Sequence, residues 1–158
     1  MKKGCFCTIV VFIALTMSCD NNSKEGFPLY GIRLEDSPEQ VVYLMERAGF
    51  KKEGEFLDGN HISLSFSKND TGAGFWFRDK KLWRINFDAG NSNFDTVTNE
   101  LRLSSGYPSY YSADEKRATW LLKNNPVITR IDLSHNPGEN CRIIIQRDRM
   151  AEIDEGWN

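Results

Sequence analysis

The sequence contains few of the residues from which catalytic and metal sites are usually built. It has two histidines and four cysteines in 158 residues. Neither His61 nor His135 lies in an HExxH pattern or beside a second ligand at metal spacing. A GxSxG elbow, a GxxxxGK[ST] phosphate loop and an Asp-rich calcium loop are also absent from the sequence. We therefore expect no metal and no other cofactor, and we predict that the protein is not an enzyme.

The sequence also lacks an excess of positive charge. Lysine and arginine number 20 against 22 aspartates and glutamates, a net charge of −2. A protein that neutralises many phosphates needs a basic surface. The composition therefore argues against nucleic acid as a partner.

No apolar run near the N-terminus is long enough to cross a bilayer comfortably. Residues 5–17 carry no charge, but a transmembrane helix needs about 20 residues. Lys2 and Lys3 precede this run, and the small residues Thr16 and Ser18 lie at alternating positions before Cys19. This order is typical of a secretory signal peptide, which we assign to residues 1–18. Polar residues 19–26 then predict a tether, and residues 27–158 a single globular domain.

Cleavage before Cys19 would remove two of the four cysteines with the signal. Cys19 would then begin the mature chain, and Cys141 would lie far along it. A disulfide between them would join a tether to a predicted strand. The other option is attachment of a lipid to Cys19.

Residues 15–19, read as LTMSC after an apolar run that follows two lysines, resemble the signal of a bacterial lipoprotein with a relaxed lipobox. Thr16 stands where leucine is usual, and Leu15 is one position earlier. The resemblance implies a diacylglycerol on Cys19 and a lipid-anchored location at a membrane of the bacterial cell envelope. The alternative is secretion after cleavage of the signal.

Residues typical of helix ends predict two helices. Ser37 and Gln40 form a capping-box pattern, and Gly49 marks the end of the first helix. The second helix is expected to begin near Asn93 and to end at Gly106. Strands are predicted at 55–57, 61–67, 74–78, 82–88, 118–123, 127–134 and 141–148. Residues 151–158 are expected to form an acidic tail.

This order of elements predicts an α+β fold with two layers, an antiparallel sheet with both helices on one face. Two short matches suggest a tandem repeat of a helix followed by strands. Residues 44–50 match 101–107 at an offset of 57, and 83–87 match 129–133 at an offset of 46. The offsets differ because the first half is expected to hold an extra hairpin. The architecture is similar to envelope domains of the beta-lactamase-inhibitor-protein and BamE type, which implies a binding module.

The face of the sheet that points away from the helices is the candidate binding surface. Alternation places Leu82 and Ile128 on this face and turns Trp83 toward the helices. The residues that we expect to contact a partner are Trp76, Arg78, Arg84, Arg130, Arg142 and Ile144. Arginine and aromatic side chains dominate protein interfaces. The alternative is that these arginines form ion pairs with Asp132 and Asp148 on a solvated sheet.

The sequence therefore predicts a lipid-anchored envelope protein that binds a protein or another envelope component without catalysis. One alternative is a small envelope hydrolase whose site is assembled from distant residues, with His61 among them. Another is a structural subunit of an envelope complex.

Overall fold

Alternating apolar residues and tight turns give this chain one antiparallel sheet. A computed structural model describes residues 30–90, 92–124 and 127–154, so the predicted signal, the tether and Cys19 lie outside the described residues. The strands are β1 (Lys51–Asp58), β2 (His61–Lys68), β3 (Thr71–Arg78), β4 (Lys81–Asp88), β5 (Tyr110–Ser112), β6 (Arg117–Asn124), β7 (Val127–His135) and β8 (Cys141–Arg147). Within the described residues the helices are α1 (Pro38–Arg47), α2 (Phe94–Ser105) and α3 (Arg149–Asp154). The predicted α+β class with an antiparallel sheet is confirmed.

The order of strands across the sheet is β1-β2-β3-β4-β8-β7-β6-β5. The strands β1 to β4 follow one another in space as they do in the chain, because two-residue turns join them. Strands β5 to β8 also follow one another in space, in the opposite direction, and their connections have two to five residues. The two halves meet where β4 pairs with β8. Strands β1 and β5 form the two edges.

The capping patterns read from the sequence are present in the helices. The backbone N–H of Gln40 donates to the Ser37 hydroxyl at 3.3 Å, and the N–H of Ser37 donates to the Gln40 side chain at 2.9 Å. Asn93 caps α2 by accepting from the N–H of Thr96 at 2.8 Å. Gly106 ends α2 with a φ of +78°, a conformation that glycine adopts without strain.

One cluster of buried side chains forms the hydrophobic core. The helices contribute Val41, Met45, Phe94, Val97 and Leu101 to it, and strands β2–β4 and β6–β8 contribute most of the remaining residues. Trp120 is 1% exposed, and its indole N–H donates to the Gly106 carbonyl at 2.9 Å. This bond satisfies the polar atom of the largest buried side chain, since an unpaired buried donor is costly.

A β-bulge in β4 changes which residues face the core. Phe77 pairs with Leu82 while Trp76 pairs with Arg84, so Trp83 is an extra residue between them. Leu82 is fully buried in the core cluster, whereas Trp83 is only half-buried. The prediction that Leu82 points away from the core and Trp83 toward it was wrong. Strict alternation fails here because a bulge inserts one residue into one strand.

The C-terminal end of the described chain differs from the predicted acidic tail. Residues 149–154 form α3, which lies against β7. Ile128, expected on an open surface, is 1% exposed and buried outside the main core cluster. The N–H of Asp148 donates to the Ile128 carbonyl at 2.8 Å, which brings the start of α3 to this strand.

The second half also contains a strand that the sequence did not indicate. β5 has three residues, and with it each half has a helix followed by four strands. The expectation of an extra hairpin in the first half was therefore wrong. Residues 83–87 lie in the fourth strand of their half and residues 129–133 in the third strand of theirs. Among the described helices, none is long and apolar enough to cross a membrane.

Candidate functional site

We define the outer face as the positions on β2–β4 and β6–β8 that alternate with residues of the core cluster. Seven of them are basic, namely Arg78, Lys81, Arg84, Arg117, Lys123, Arg130 and Arg142. Two of them, Asp88 and Asp132, are acidic. The chain as a whole carries a net charge of −2. On these six strands basic residues therefore outnumber acidic ones on the outer face, which favours contact with an anionic surface.

Trp76 is on β3, two residues after Gly74, which has no side chain. A Cβ atom built on Gly74 would come within 2.6 Å of the Trp76 indole. The glycine thus leaves the space that the indole occupies on the outer face. Trp76 is half-buried as a result.

Arg84 pairs across strands with Trp76 and places its guanidinium over the indole. The guanidinium carbon lies 5.6 Å from the ring centroid. The Nε atom of Arg84 donates to the side-chain oxygen of Asn86 at 3.0 Å. Both partners are uncharged, and no acidic group of a described residue pairs with Arg84. Its positive charge is therefore not neutralised by an ion pair there.

Arg78 and Trp83 extend this arrangement. The bulge turns Trp83 beneath Arg78, with the guanidinium carbon 5.7 Å from the ring centroid. The Trp83 indole N–H is buried and has no hydrogen-bond partner among the described residues. Arg78 itself is exposed and makes no ion pair with a described residue. We call Trp76, Arg78, Trp83 and Arg84 the Arg–Trp cluster.

Arg130 has different surroundings. Its Nε atom donates to both carboxylate oxygens of Asp132, at 3.0 and 2.8 Å, and its Nη1 atom lies 3.9 Å from Asp148. The hydrogen bond to Asp132 is the main cause that raises the pKa of Arg130 above its ordinary value. The hydroxyl of Thr119 also donates to Asp132, at 2.8 Å. The ion-pair alternative therefore describes Arg130 correctly but not Arg84 or Arg78.

The register relates these two arginines through β8. Arg84 pairs with Gln146 on one side, and Arg130 pairs with the same Gln146 on the other. Ile144 lies two residues away on β8, between Asn86 and Asp132, and is half-buried. One row of the outer face thus carries both arginines, and the next row carries both of their side-chain acceptors.

Arg142 is separated from the Arg–Trp cluster. It is exposed at the start of β8, where it pairs with Asp88 and Ser134. It forms no ion pair with a described residue. The structure thus brings together Trp76, Arg78 and Arg84, places Arg130 in an ion pair and leaves Arg142 at the end of the face.

Two residues of this region were not among the predicted contacts. Trp83 was assigned to the core, because the bulge has no signature in the alternation. Alternation also places Asn86 on the outer face, but it was not chosen as a contact, although it occupies the position in residues 83–87 that Asp132 occupies in 129–133. The change from amide to carboxylate was therefore visible in the sequence.

His61 and Cys141 are the two residues with reactive side chains that bear on the hydrolase alternative. His61 is exposed and pairs with Asp58 and Arg78 across strands, and its side chain forms no hydrogen bond with a described residue. Cys141 is fully buried, with its sulfur 3.5 Å from Nδ1 of His135. Burial, and then the nearby Asp88 and Asp95, raise the pKa of the Cys141 thiol. A protonated thiol is a poor nucleophile.

An open groove of about 350 Å³ lies between α1 and the β1 edge of the sheet. Pro38, Val42 and Leu64 provide its apolar lining, and Glu39 and Glu46 contribute carboxylates. His61 and Cys141 do not line this groove. In the described parts of the chain, no group of three or more histidine, cysteine, aspartate and glutamate side chains is arranged to hold a metal ion.

Comparison with known protein families, curated proteins and solved structures finds no match to this chain.

Proposed function

We propose that the protein is a lipid-anchored binding module of the bacterial cell envelope and that its outer face binds an acidic region of a partner protein. The observation that carries the proposal is the environment of Arg84. Its charge is in contact with an indole and an amide but with no carboxylate of the described residues. An arginine in this state offers a partner carboxylate a charge-assisted hydrogen bond.

The composition of the face supports a protein as the partner. Exposed arginine next to tryptophan is typical of the residues that contribute most to protein interfaces. Electrostatic attraction between a basic face and an acidic partner also increases the rate of association. Binding through this face requires no catalytic group.

The anchor in the proposal is a diacylglycerol on Cys19 after removal of residues 1–18. Several acyl chains on one residue would hold the domain at the membrane, because each buried methylene contributes about 0.8 kcal/mol. Mass spectrometry of the N-terminal peptide, after expression in a bacterium, tests this part. We expect a lipid-modified Cys19 at the first position, and an intact residue 1–18 segment would contradict it.

We further infer that α1 and α2 cover one face of the sheet as a second layer and that the two halves arose as a tandem repeat. Buried residues of both helices belong to the same core cluster as the inward residues of the strands, which supports the common face. The mirrored strand order supports the repeat. In this arrangement neither α1 nor α2 covers the outer face, and a partner has access to it.

A pull-down from bacterial envelope extract tests the binding function. The bait is the full chain, compared with a variant that carries Arg78→Glu and Arg84→Glu. We expect the wild-type chain to retain an acidic protein whose recovery decreases as salt increases, and the variant to lose at least about tenfold in affinity for it.

The matched control reverses two charges elsewhere. Arg47 and Arg102 lie in the last turns of α1 and α2. Arg47→Glu with Arg102→Glu changes the net charge by the same amount, and we expect it to retain the partner. Equal retention by all three proteins, or equal loss in both variants, would contradict binding through the Arg–Trp cluster.

A further inference from the structure

The edge strand β1 has features of a surface that pairs with another strand. It has eight residues, whereas the opposite edge strand β5 has three. Within the described residues its only neighbour in the sheet is β2. The backbone N–H and C=O groups on its other side are therefore available to a further strand.

Apolar side chains are exposed on this edge. Phe56 is 66% exposed and Leu57 is 63% exposed, although they are adjacent residues on opposite sides of the strand. Phe56 lies on the same side as Gly54, as their partners Ser63 and Ser65 show. A strand added beside β1 would remove part of this apolar surface from water.

The charges of β1 are arranged so that the strand complements itself. Its first half contains Lys51, Lys52 and Glu53, with one net positive charge, and its second half contains Glu55 and Asp58, with two negative charges. Antiparallel pairing of two copies would place the basic half of one beside the acidic half of the other. Two identical strands that pair antiparallel through a two-fold axis make every contact twice.

A bulge in β1 determines which charges meet. The register shifts between Lys52 and Gly54, so Lys52 and Glu55 both lie on the core side, opposite Phe66 and Leu64. The Lys52 ammonium forms an ion pair with Glu55 of its own chain. Because Glu53 is the extra residue of the bulge, Lys52 and Glu55 are each one paired position away from Gly54. In a register centred on Gly54, Lys52 of each copy therefore also lies beside Glu55 of the other. Four charges of alternating sign would then form one network.

We propose that a second copy of this chain binds to β1, with the two β1 strands antiparallel and centred on Gly54. The sheet then continues from one copy into the other. On the outer side, Gly54 of one copy faces Gly54 of the other, and Phe56 of each copy lies diagonally across from the facing glycine, where no side chain obstructs the ring. The two-fold axis runs perpendicular to the sheet, so both outer faces point in the same direction.

Charge reversal with complementation tests this pairing. Lys52→Glu and Glu55→Lys are made separately in the full-length chain, and association is measured in detergent by analytical ultracentrifugation over a series of concentrations. We expect wild-type chain to dimerise and each variant alone to associate about tenfold more weakly, because two attractive contacts become repulsive. Mixing the two variants is expected to restore dimers, since each reversed residue then faces an opposite charge.

Two comparisons distinguish association through β1 from association through other parts of the chain. All proteins share the same N-terminal segment, so association through that segment would appear equally in each. Arg117→Glu, on β6 far from β1, is the matched charge control and is expected to dimerise like the wild type. Restored association on mixing also shows that the single variants are folded. Wild-type chain that stays monomeric, or a mixture that associates no better than its components, would overturn the proposal.

Discussion

Arg84 and Arg130 occupy comparable places on the sheet but differ in what they offer a partner. Each pairs with Gln146 of β8, and each donates its Nε–H to the side chain two residues further along its own strand. The acceptor is an amide oxygen of Asn86 in one case and the carboxylate of Asp132 in the other. The first arginine retains its charge for a partner, and the second is part of an ion pair.

The comparison shows that counting arginines on a face does not measure its binding capacity. The Nε hydrogen bond of Arg84 is 3.0 Å long, and Arg130 donates to the two oxygens of Asp132 at 3.0 and 2.8 Å. The main difference is the charge of the acceptor, because a carboxylate neutralises the guanidinium and an amide does not.

Exchanging the two acceptors is expected to have the largest effect. In a variant with Asn86→Asp and Asp132→Asn, Arg84 becomes the paired arginine and Arg130 the one without a carboxylate at that position. Affinity for the acidic partner should fall about tenfold, because Trp76 and Arg78 remain beside the arginine that is now neutralised. Titration of the partner recovered by pull-down measures the change.

The exchange leaves the net charge unchanged, whereas Asn86→Asp made alone adds a negative charge, and the control for that single change uses an exposed site on α2. Asn99→Asp adds the same negative charge as Asn86→Asp but lies away from the outer face. We expect it to bind the partner like the wild type. If Asn99→Asp weakens binding as much as Asn86→Asp does, net charge and not the position of the acceptor would be responsible.

The second effect concerns stability at Asp132. Asp132→Asn replaces a charge-assisted bond to Arg130 by a neutral one, and the free energy of unfolding should fall by about 1 kcal/mol. The loss is moderate because both side chains are partly exposed. Denaturant unfolding measures it, with Asp114→Asn in an exposed turn as the control. No difference between the two variants would show that the ion pair adds no stability.

A third change tests how Trp76 supports Arg84. Gly74→Ala places a methyl group within 2.6 Å of the indole and should displace it, at a cost of about 1 kcal/mol. Gly72→Ala on the same strand is the control, because its nearest neighbour, the Asp88 Cβ, is 4.0 Å away. Tryptophan fluorescence should shift for Gly74→Ala only. An unchanged spectrum would contradict the position of the indole.

The smallest effect is expected when Asn86→Asp is made alone. A new ion pair with half-exposed Arg84 should raise the free energy of unfolding by no more than about 0.5 kcal/mol. The gain should decrease in high salt. A loss of stability would mean that the carboxylate does not reach the guanidinium as the amide does.

Local signals predicted most elements of this fold. The capping box at Ser37, the cap at Asn93 and the alternation along β2, β3 and β8 each determine structure through neighbours in the sequence. These features need no information from distant residues. For the same reason the antiparallel α+β class was predicted correctly.

Features that depend on distant contacts were not predicted. The bulge at Trp83 is defined only by the pairing of β4 with β3, and β5 has three residues, too few to show a period. α3 is a six-residue helix whose start is hydrogen-bonded to β7. The Arg–Trp cluster was found in part, since Trp76, Arg78 and Arg84 were chosen from alternation. Trp83 required the register, whereas Asn86 lies two residues from Arg84 on the same strand and could have been chosen from the sequence.

The pairing of β4 with β8 also has a consequence for the order of folding. Strands β1 to β4 complete their own pairings within about the first half of the chain, but β4 has one open edge until β8 has been synthesised. Of the residues named in this pairing, Ile85 and Ile145 are 60 positions apart, and such distant contacts form slowly. A nascent chain therefore carries a temporary edge in what becomes the centre of the sheet, and it is during this interval that wrong strand pairing competes with folding.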